Sequence, residues 1–276
     1  MTNRLCPLLL LIGSGLAGCA SAPDPALFDA GLDNQSGLTF APDGSTAYWV
    51  EWDGDWGSSA AGKRTIYFSV RSDVGWSSPE PMPFSSDASD DDPFVSPDGD
   101  WLYFVSARPD GDIWRYRLDG SRHLERLPIN SPAAEYSPVV VSSGALYFAS
   151  ARSGGPGQGD IYRAAPDGGA FAKPFALGPE INSPHGEWNL WVSADETVLI
   201  FEASGRPGNV SASGDLYYSL RIEEGWSPAS PLKELNTSGS DLLPRMHPDG
   251  KTLFYTSAQI GGNARVTTAR PRFDDR

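Results

Sequence analysis

Five times along the chain an apolar run breaks at a tight turn and then resumes, and this recurrence constrains the fold more than any other feature. In DDDPFVSPDGDWLYFVS (90–106), Pro97 pre-sets the φ of a type I turn, Ser96 and Asp98 can hydrogen-bond the local backbone, and Gly99 tolerates positive φ. Proline cannot donate to a β-ladder, so the runs on either side of Pro97 are separate strands of a hairpin. The device returns as Ala41-Pro42-Asp43-Gly44 before TAYWV, Ser142-Ser143-Gly144 before ALYFASA, Ala194-Asp195-Glu196 before TVLIFEAS, and His247-Pro248-Asp249-Gly250 before TLFYTSA. The last turn residues (44, 99, 144, 196, 250) are 55, 45, 52 and 54 positions apart, a period that points to propeller blades rather than to separate domains.

Each copy continues alike. A strand A precedes the turn and a strand B, apolar on both faces, follows it; such a strand belongs to a sheet covered on both sides. Strand C is RTIYFSV (64–70), GDIWRYR (111–117), GDIYRAA (159–165) or GDLYYSL (214–220). Strand D follows a second turn, as in 73–84, 167–177 and 223–235. The fifth copy stops after strand C, near 264–273, while ALFDAGLDN (26–34) looks like the end of a strand D. The expectation is an all-β propeller of four-stranded blades, five in number and closed by the N-terminal strand, with six blades as the alternative.

The motif SPDG-x-x-LYF-x-S-A-R, followed by GDIY and G-W-x-x-P, resembles the PD40 (WD40-like) repeat of the TolB-like propeller family, over roughly residues 26–273. The resemblance implies the fold. It does not by itself imply the function, because propellers host many. TolB has an additional N-terminal domain without a counterpart here, so its translocation role and its Pal partner are not carried over.

The first residues, MTNRLCPLLLLIGSGLAGC, give Arg4, an apolar run from Leu5 to Ile12, and small residues before Cys19, the pattern of a secretion signal too short to span a bilayer permanently. Leu16-Ala17-Gly18-Cys19 resembles the bacterial lipoprotein box. That likeness implies a signal peptide over 1–18, lipidation of Cys19, a linker over 19–25 and a propeller over 26–276. Ala20 after the cysteine implies sorting to the outer membrane. Cys6 would leave with the signal, so no intramolecular disulfide is expected. The chain from residue 19 onward carries 20 Lys+Arg against 35 Asp+Glu, a balance that repels nucleic-acid phosphates and anionic membrane surfaces.

Tight A–B and C–D turns emerge on one rim of such a ring, and long B–C and D–A loops on the other, where sites concentrate. Asp90, Glu135, Glu187 and Asp241 form a column six residues before the position of Ser96 in each repeat, with Gln35 in the first copy. Around a channel mouth they would favour a cation, calcium included, or a basic segment of a partner; alternatively each locks its own blade by hydrogen bonding. Glu51, Trp52, Asp53, Asp55 and Trp56, in the longest B–C loop, form a second candidate, with indoles to stack on a sugar and acids to bind its hydroxyls, or indoles packed on a neighbouring loop. The spacing lacks a full Asp-x-Asp-x-Asp-Gly calcium loop, and no metal or other cofactor is assigned.

Arg108, Arg152 and Arg206 are expected to pair with Asp112, Asp160 and Asp215, pinning the B–C loops, and Trp76 and Trp226 to pack on the adjoining strand. The histidines at 123, 185 and 247 lack metal-ligand spacing, and no nucleophile elbow, P-loop or dinucleotide fingerprint occurs. The leading expectation is a non-enzymatic envelope protein, anchored to the outer membrane and facing the periplasm, that binds a protein or peptide, or a cell-wall glycan, through its long-loop face. The alternative is a carbohydrate-active enzyme using two of the four column carboxylates.

Overall fold

The computed structural model describes residues 35–54, 62–108, 111–258 and 264–273. Every regular element among them is a strand, and the strands form five antiparallel sheets arranged as the blades of a propeller. Blade 1 holds β1 (Gln35–Phe40), β2 (Thr46–Trp52), β3 (Arg64–Ser72), β4 (Gly75–Trp76) and β5 (Glu80–Pro81). Blade 2 holds β6 (Asp90–Val95), β7 (Trp101–Ser106), β8 (Asp112–Arg117) and β9 (Leu124–Arg126). Blade 3 holds β10 (Glu135–Val140), β11 (Leu146–Ser150), β12 (Asp160–Ala164) and β15 (Phe175–Ala176), with a small hairpin of β13 (Pro166–Asp167) and β14 (Ala170–Phe171). Blade 4 holds β16 (Gly186–Val192), β17 (Val198–Ser204), β18 (Asp215–Ile222), β19 (Gly225–Trp226) and β20 (Ser230–Pro231), and blade 5 holds β21 (Ser240–Met246), β22 (Leu253–Ala258) and β23 (Ala264–Ala269).

The ring closes with five blades. The inner strands pack in sequence, β1 on β6, β6 on β10, β10 on β16 and β16 on β21, and β21 packs back on β1. Phe40 of β1 meets Phe254 of β22 at 5.4 Å between ring centroids, an aromatic contact across that seam. The expected closing strand at 26–34 lies outside the described residues, and blade 5 has three strands among those described.

Why these residues form blades follows from the B strands. In β11 every residue is buried, and Phe104, Phe148 and Phe201 of β7, β11 and β17 have no exposed surface, because a neighbouring blade covers each face. The five turns share one hydrogen bond, from the N–H of Gly44, Gly99, Gly144, Glu196 and Gly250 back to the carbonyl three residues earlier. All five last residues have positive φ, including Glu196 at 58°. That strained glutamate is held by its carboxylate, which accepts from Ser143 at 2.6 Å and Tyr147 at 2.5 Å and pairs with Arg163 at 3.2 Å, tying blade 4 to blade 3.

The outer strands are shorter than expected. Pro79, Pro174 and Pro228 each fall between two short ladders that divide strand D, because proline withholds the donor the ladder needs. Trp76 and Trp226 lie opposite Arg71 and Arg221 on the adjoining strands, with each guanidinium over the indole at 5.8 and 5.3 Å.

Candidate binding site along the ring axis

The column residues stand at the head of the inner strands, and all are buried: Gln35 is 3% exposed, Asp90 1%, and Glu135, Glu187 and Asp241 0%. Three of the four charges are met by an arginine of the same blade. Arg108 pairs with Asp90 at 2.7 Å, Arg152 with Glu135 at 2.8 Å and Arg206 with Glu187 at 2.8 Å. Each arginine also donates to a backbone carbonyl in the segment leading into the inner strand, at Phe84, Ile129 or Ile181, and lies over an aromatic ring, Phe84, Phe148 or Phe201. Loop hydroxyls complete the shell, with Ser131 donating to Glu135 and Ser183 to Glu187, both at 2.6 Å. Asp241 accepts from the Thr237 N–H at 2.6 Å. Burial pushes Asp90 above its ordinary value, against hydrogen bonding by Ser106 and the charge of Arg108.

This staple corrects the pairing expected for the three arginines. Asp112 pairs with Arg126 of β9, Asp160 takes the Gly157 N–H at 3.3 Å, and Asp215 takes the N–H groups of Val210 at 2.6 Å and Ser211 at 2.9 Å. The register supplies the reason. Ser106 stands between Asp90 on β6 and Asp112 on β8, so the arginine two residues on has a carboxylate on either side, and the inner one receives it.

Two residues beyond the column, every inner strand breaks register, and the residue there has left-handed φ: Gly37 (62°), Asp92 (54°), Ser137 (44°), Asn189 (22°) and Leu243 (55°). These bulges join consecutive blades around the axis. The Ser137 N–H donates to Asp92 at 2.8 Å, Ser137 Oγ meets Asn189 Oδ1 at 3.1 Å, and Asn189 Nδ2 donates to Glu202 on β17. Arg245, only 1% exposed, reaches from blade 5 to the Leu190 carbonyl of blade 4 at 2.8 Å. Burial lowers its pKa to about 10, with Asp92 and Asp91 pulling the other way. Burial, aided by Asp92, lifts Asp91 to about 7 although Arg64 pairs with it at 3.1 Å, and burial lifts Glu202 to about 7.

The axis network was missed by reading the sequence, although a signal was there. Pro93, Pro138 and Pro244 each stand three residues after a column carboxylate, where a regular ladder would be interrupted.

The two ends of the axis differ. On the tight-turn side a cavity of about 550 Å³ is lined by residues of all five blades, among them Phe40, Phe94, Val140, Trp191 and Met246. On the long-loop side, Glu51 accepts from Trp49 Nε1 at 3.0 Å, Arg64 lies over the Trp52 ring at 5.3 Å, and Asp53 accepts from the Lys63 N–H at 2.5 Å. Asp55 and Trp56 lie outside the described residues. Among the described residues no group of three or more His, Cys, Asp and Glu side chains is placed to hold a metal ion.

No protein-family model matches the sequence, and no curated protein matches it. Solved structures do match. TolB from Acinetobacter baumannii aligns with TM-score 0.58 and 19% identity over 86% of this chain and 52% of its own, so this chain spans about half the length of that protein. A putative TolB from Agrobacterium tumefaciens aligns with TM-score 0.56 and 17% identity, covering 86% of this chain and 77% of the other. The tricorn protease aligns with TM-score 0.51 and 13% identity over 90% of this chain and 27% of its own. At these identities the likeness establishes architecture. The chain is thus a five-bladed β-propeller with the fold seen in TolB proteins.

Proposed function

We propose that the protein is an envelope propeller that binds a protein or peptide segment, held to the outer membrane by lipid on Cys19 and facing the periplasm. The observation that carries this reading is the arginine staple. A glycosidase needs one carboxylic acid with a raised pKa and a second carboxylate, both facing a sugar-sized space. Here the column acids are fully or almost fully buried, and three of the four are ion-paired within a blade at 2.7–2.8 Å. They serve to stiffen the ring, and a stiff ring presenting loops and a central mouth is a recognition scaffold. The likeness to TolB supports the envelope as its compartment. Glu51, Trp52, Asp53, Asp55 and Trp56 remain candidates for partner contact on the long-loop rim.

Crosslinking the full chain in its native envelope tests this. Stoichiometric capture of one protein is expected; capture of glycan alone, together with oligosaccharide hydrolysis that Glu135→Gln abolishes, would replace the proposal with the enzymatic alternative. The anchor has its own test. Several acyl chains, each contributing about 0.8 kcal/mol per buried CH₂, hold a protein firmly, so Cys19→Ser should move it from the membrane pellet to the soluble fraction. Unchanged sedimentation of that variant rules out the lipid.

A further inference from the structure

The turn-side mouth deepens the binding reading, on which it rests, by specifying a surface and the chemistry of what it takes. Its walls come from the ends of the five inner strands: Phe40, Phe94, Val140, Trp191 and Met246. Trp191 and Met246 are only half-buried there, and the volume of about 550 Å³ falls in the roughly 300–1,000 Å³ range of clefts that hold ligands. Phe94 and Val140 belong to the core between blades and Trp191 and Met246 pack against its edge, so the cleft is the open end of that core, with the half-buried Trp191 and Met246 as its apolar surface left to a ligand.

Charge specifies the partner. The five turns around this mouth carry Asp43, Asp98, Asp195, Glu196 and Asp249, and neither lysine nor arginine. Arg163 neutralises Glu196, His247 lies 3.4 Å from Asp249, and Lys251 follows the last turn; among the described residues no cation is paired with Asp43 or Asp195. Hydrogen bonds from Ser45 hold Asp43, and bonds from Ser193 and Thr197 hold Asp195, below the ordinary carboxylate range. At Asp98 and Asp249, desolvation is outweighed by hydrogen bonds, chiefly from Ser96 and from Lys251 and Thr252. All four therefore carry their charge at neutral pH. Asp195 lines the cleft itself, and bonds such as Ser45 N to Asp43 at 2.9 Å and Lys251 N to Asp249 at 2.8 Å fix the other three in the same turns as Pro42, Pro97 and Pro248, which do line it.

We infer that the turn-side mouth docks a cationic peptide segment of a partner protein, whose apolar side chain enters between Phe40, Trp191 and Met246 while its lysines or arginines face Asp43, Asp98, Asp195 and Asp249. The net charge of −14 steers such a segment from a distance.

The test uses the full chain and three labelled peptides, Lys-Lys-Trp-Lys-Lys, Glu-Glu-Trp-Glu-Glu and Lys-Lys-Ser-Lys-Lys, followed by fluorescence anisotropy at low salt. The first should bind at least about tenfold tighter than either control, and weaken as salt rises. Met246→Lys places a cation in the cleft and should weaken it by about tenfold or more. The double variant Asp195→Asn with Asp249→Asn, which keeps an acceptor for the turn bonds, should weaken it by several-fold with the fold intact and only a small fall in melting temperature, since these exposed carboxylates are stabilised only by local turn bonds. Equal binding of all three peptides, or binding indifferent to both variants, overturns the inference. Envelope crosslinking separates this from the reading beneath it. A captured protein that survives Met246→Lys but is lost with His185→Glu, an exposed residue on the long-loop rim, overturns the docking surface alone; no captured protein in the wild type overturns the binding module itself.

Discussion

Arg152→Met is expected to lower the melting temperature by roughly 10 °C, since removing one partner of a buried ion pair costs about 3–5 kcal/mol, and each kcal/mol is worth about 2–4 °C in a domain of this size. The variant leaves the Glu135 carboxylate, 0% exposed, with only Ser131 and Ser150 as donors, and the Ile129 carbonyl without its guanidinium. Most of that cost is an uncompensated buried charge, so Glu135→Gln added to Arg152→Met should recover at least half of the loss. Blade 1 offers an internal precedent: Gln35 occupies the column there, and Asp53 stands at the spacing where the other blades have arginine. A control on the surface pair of Arg117 and Asp100, whose side chains are 33% and 51% exposed, should change stability by less than about 1 kcal/mol when Asp100 becomes Asn. Thermal melts of the three variants beside the wild type decide the matter. An Arg152→Met protein within about 2 °C of wild type, a shift of at most roughly 1 kcal/mol, would mean that the staple does not hold the blades.

What the sequence made legible was set by local chemistry. Turn residues such as Pro97, Asp98 and Gly99 act over four positions, so the five turns and the blades they imply could be read directly, and the column of Asp90, Glu135, Glu187 and Asp241 followed from counting back from them. Pairing was not legible in the same way. Arg108 is four residues from Asp112 and eighteen from Asp90 in the chain, and sequence distance favours the first partner, whereas strand register brings the second within 2.7 Å. The axis network was hidden for a related reason. A bulge shifts which residues face the centre, so an alternation carried forward from Asp90 does not identify Asp92, Ser137 and Asn189 as the residues that bond across blades. The tight-turn rim, passed over in favour of the longer loops, owes its cleft to the ends of strands from five blades, a convergence that no single repeat displays.

Glu202 should make the protein more stable in mild acid than in mild base. Its side chain is 5% exposed, accepts a hydrogen bond from Asn189 and lies in the field of Asp92, and burial lifts its pKa from 4.5 to about 7. A carboxyl whose folded pKa exceeds its unfolded value binds its proton more tightly when folded, so its contribution is fully present below about pH 4.5 and is lost as pH rises to about 7. A shift of that size corresponds to about 3 kcal/mol, at about 1.4 kcal/mol per unit. Asp91, likewise lifted to about 7, adds a slope of the same sign, and Arg245 stays charged throughout this window because its pKa is about 10. The turn aspartates, held low, titrate below it. Glu202→Gln keeps an acceptor for Asn189 but has no charge to bury. It should melt near the wild-type temperature at pH 4.5 and above it at pH 8, by up to about 3 kcal/mol, with the residual slope belonging to the other raised carboxyls, Asp91, Asp90 and Asp160. Melting curves of the two proteins across pH 4.5–8 that stay parallel would show that Glu202 ionises without cost, and that the axis is wetter than its burial implies.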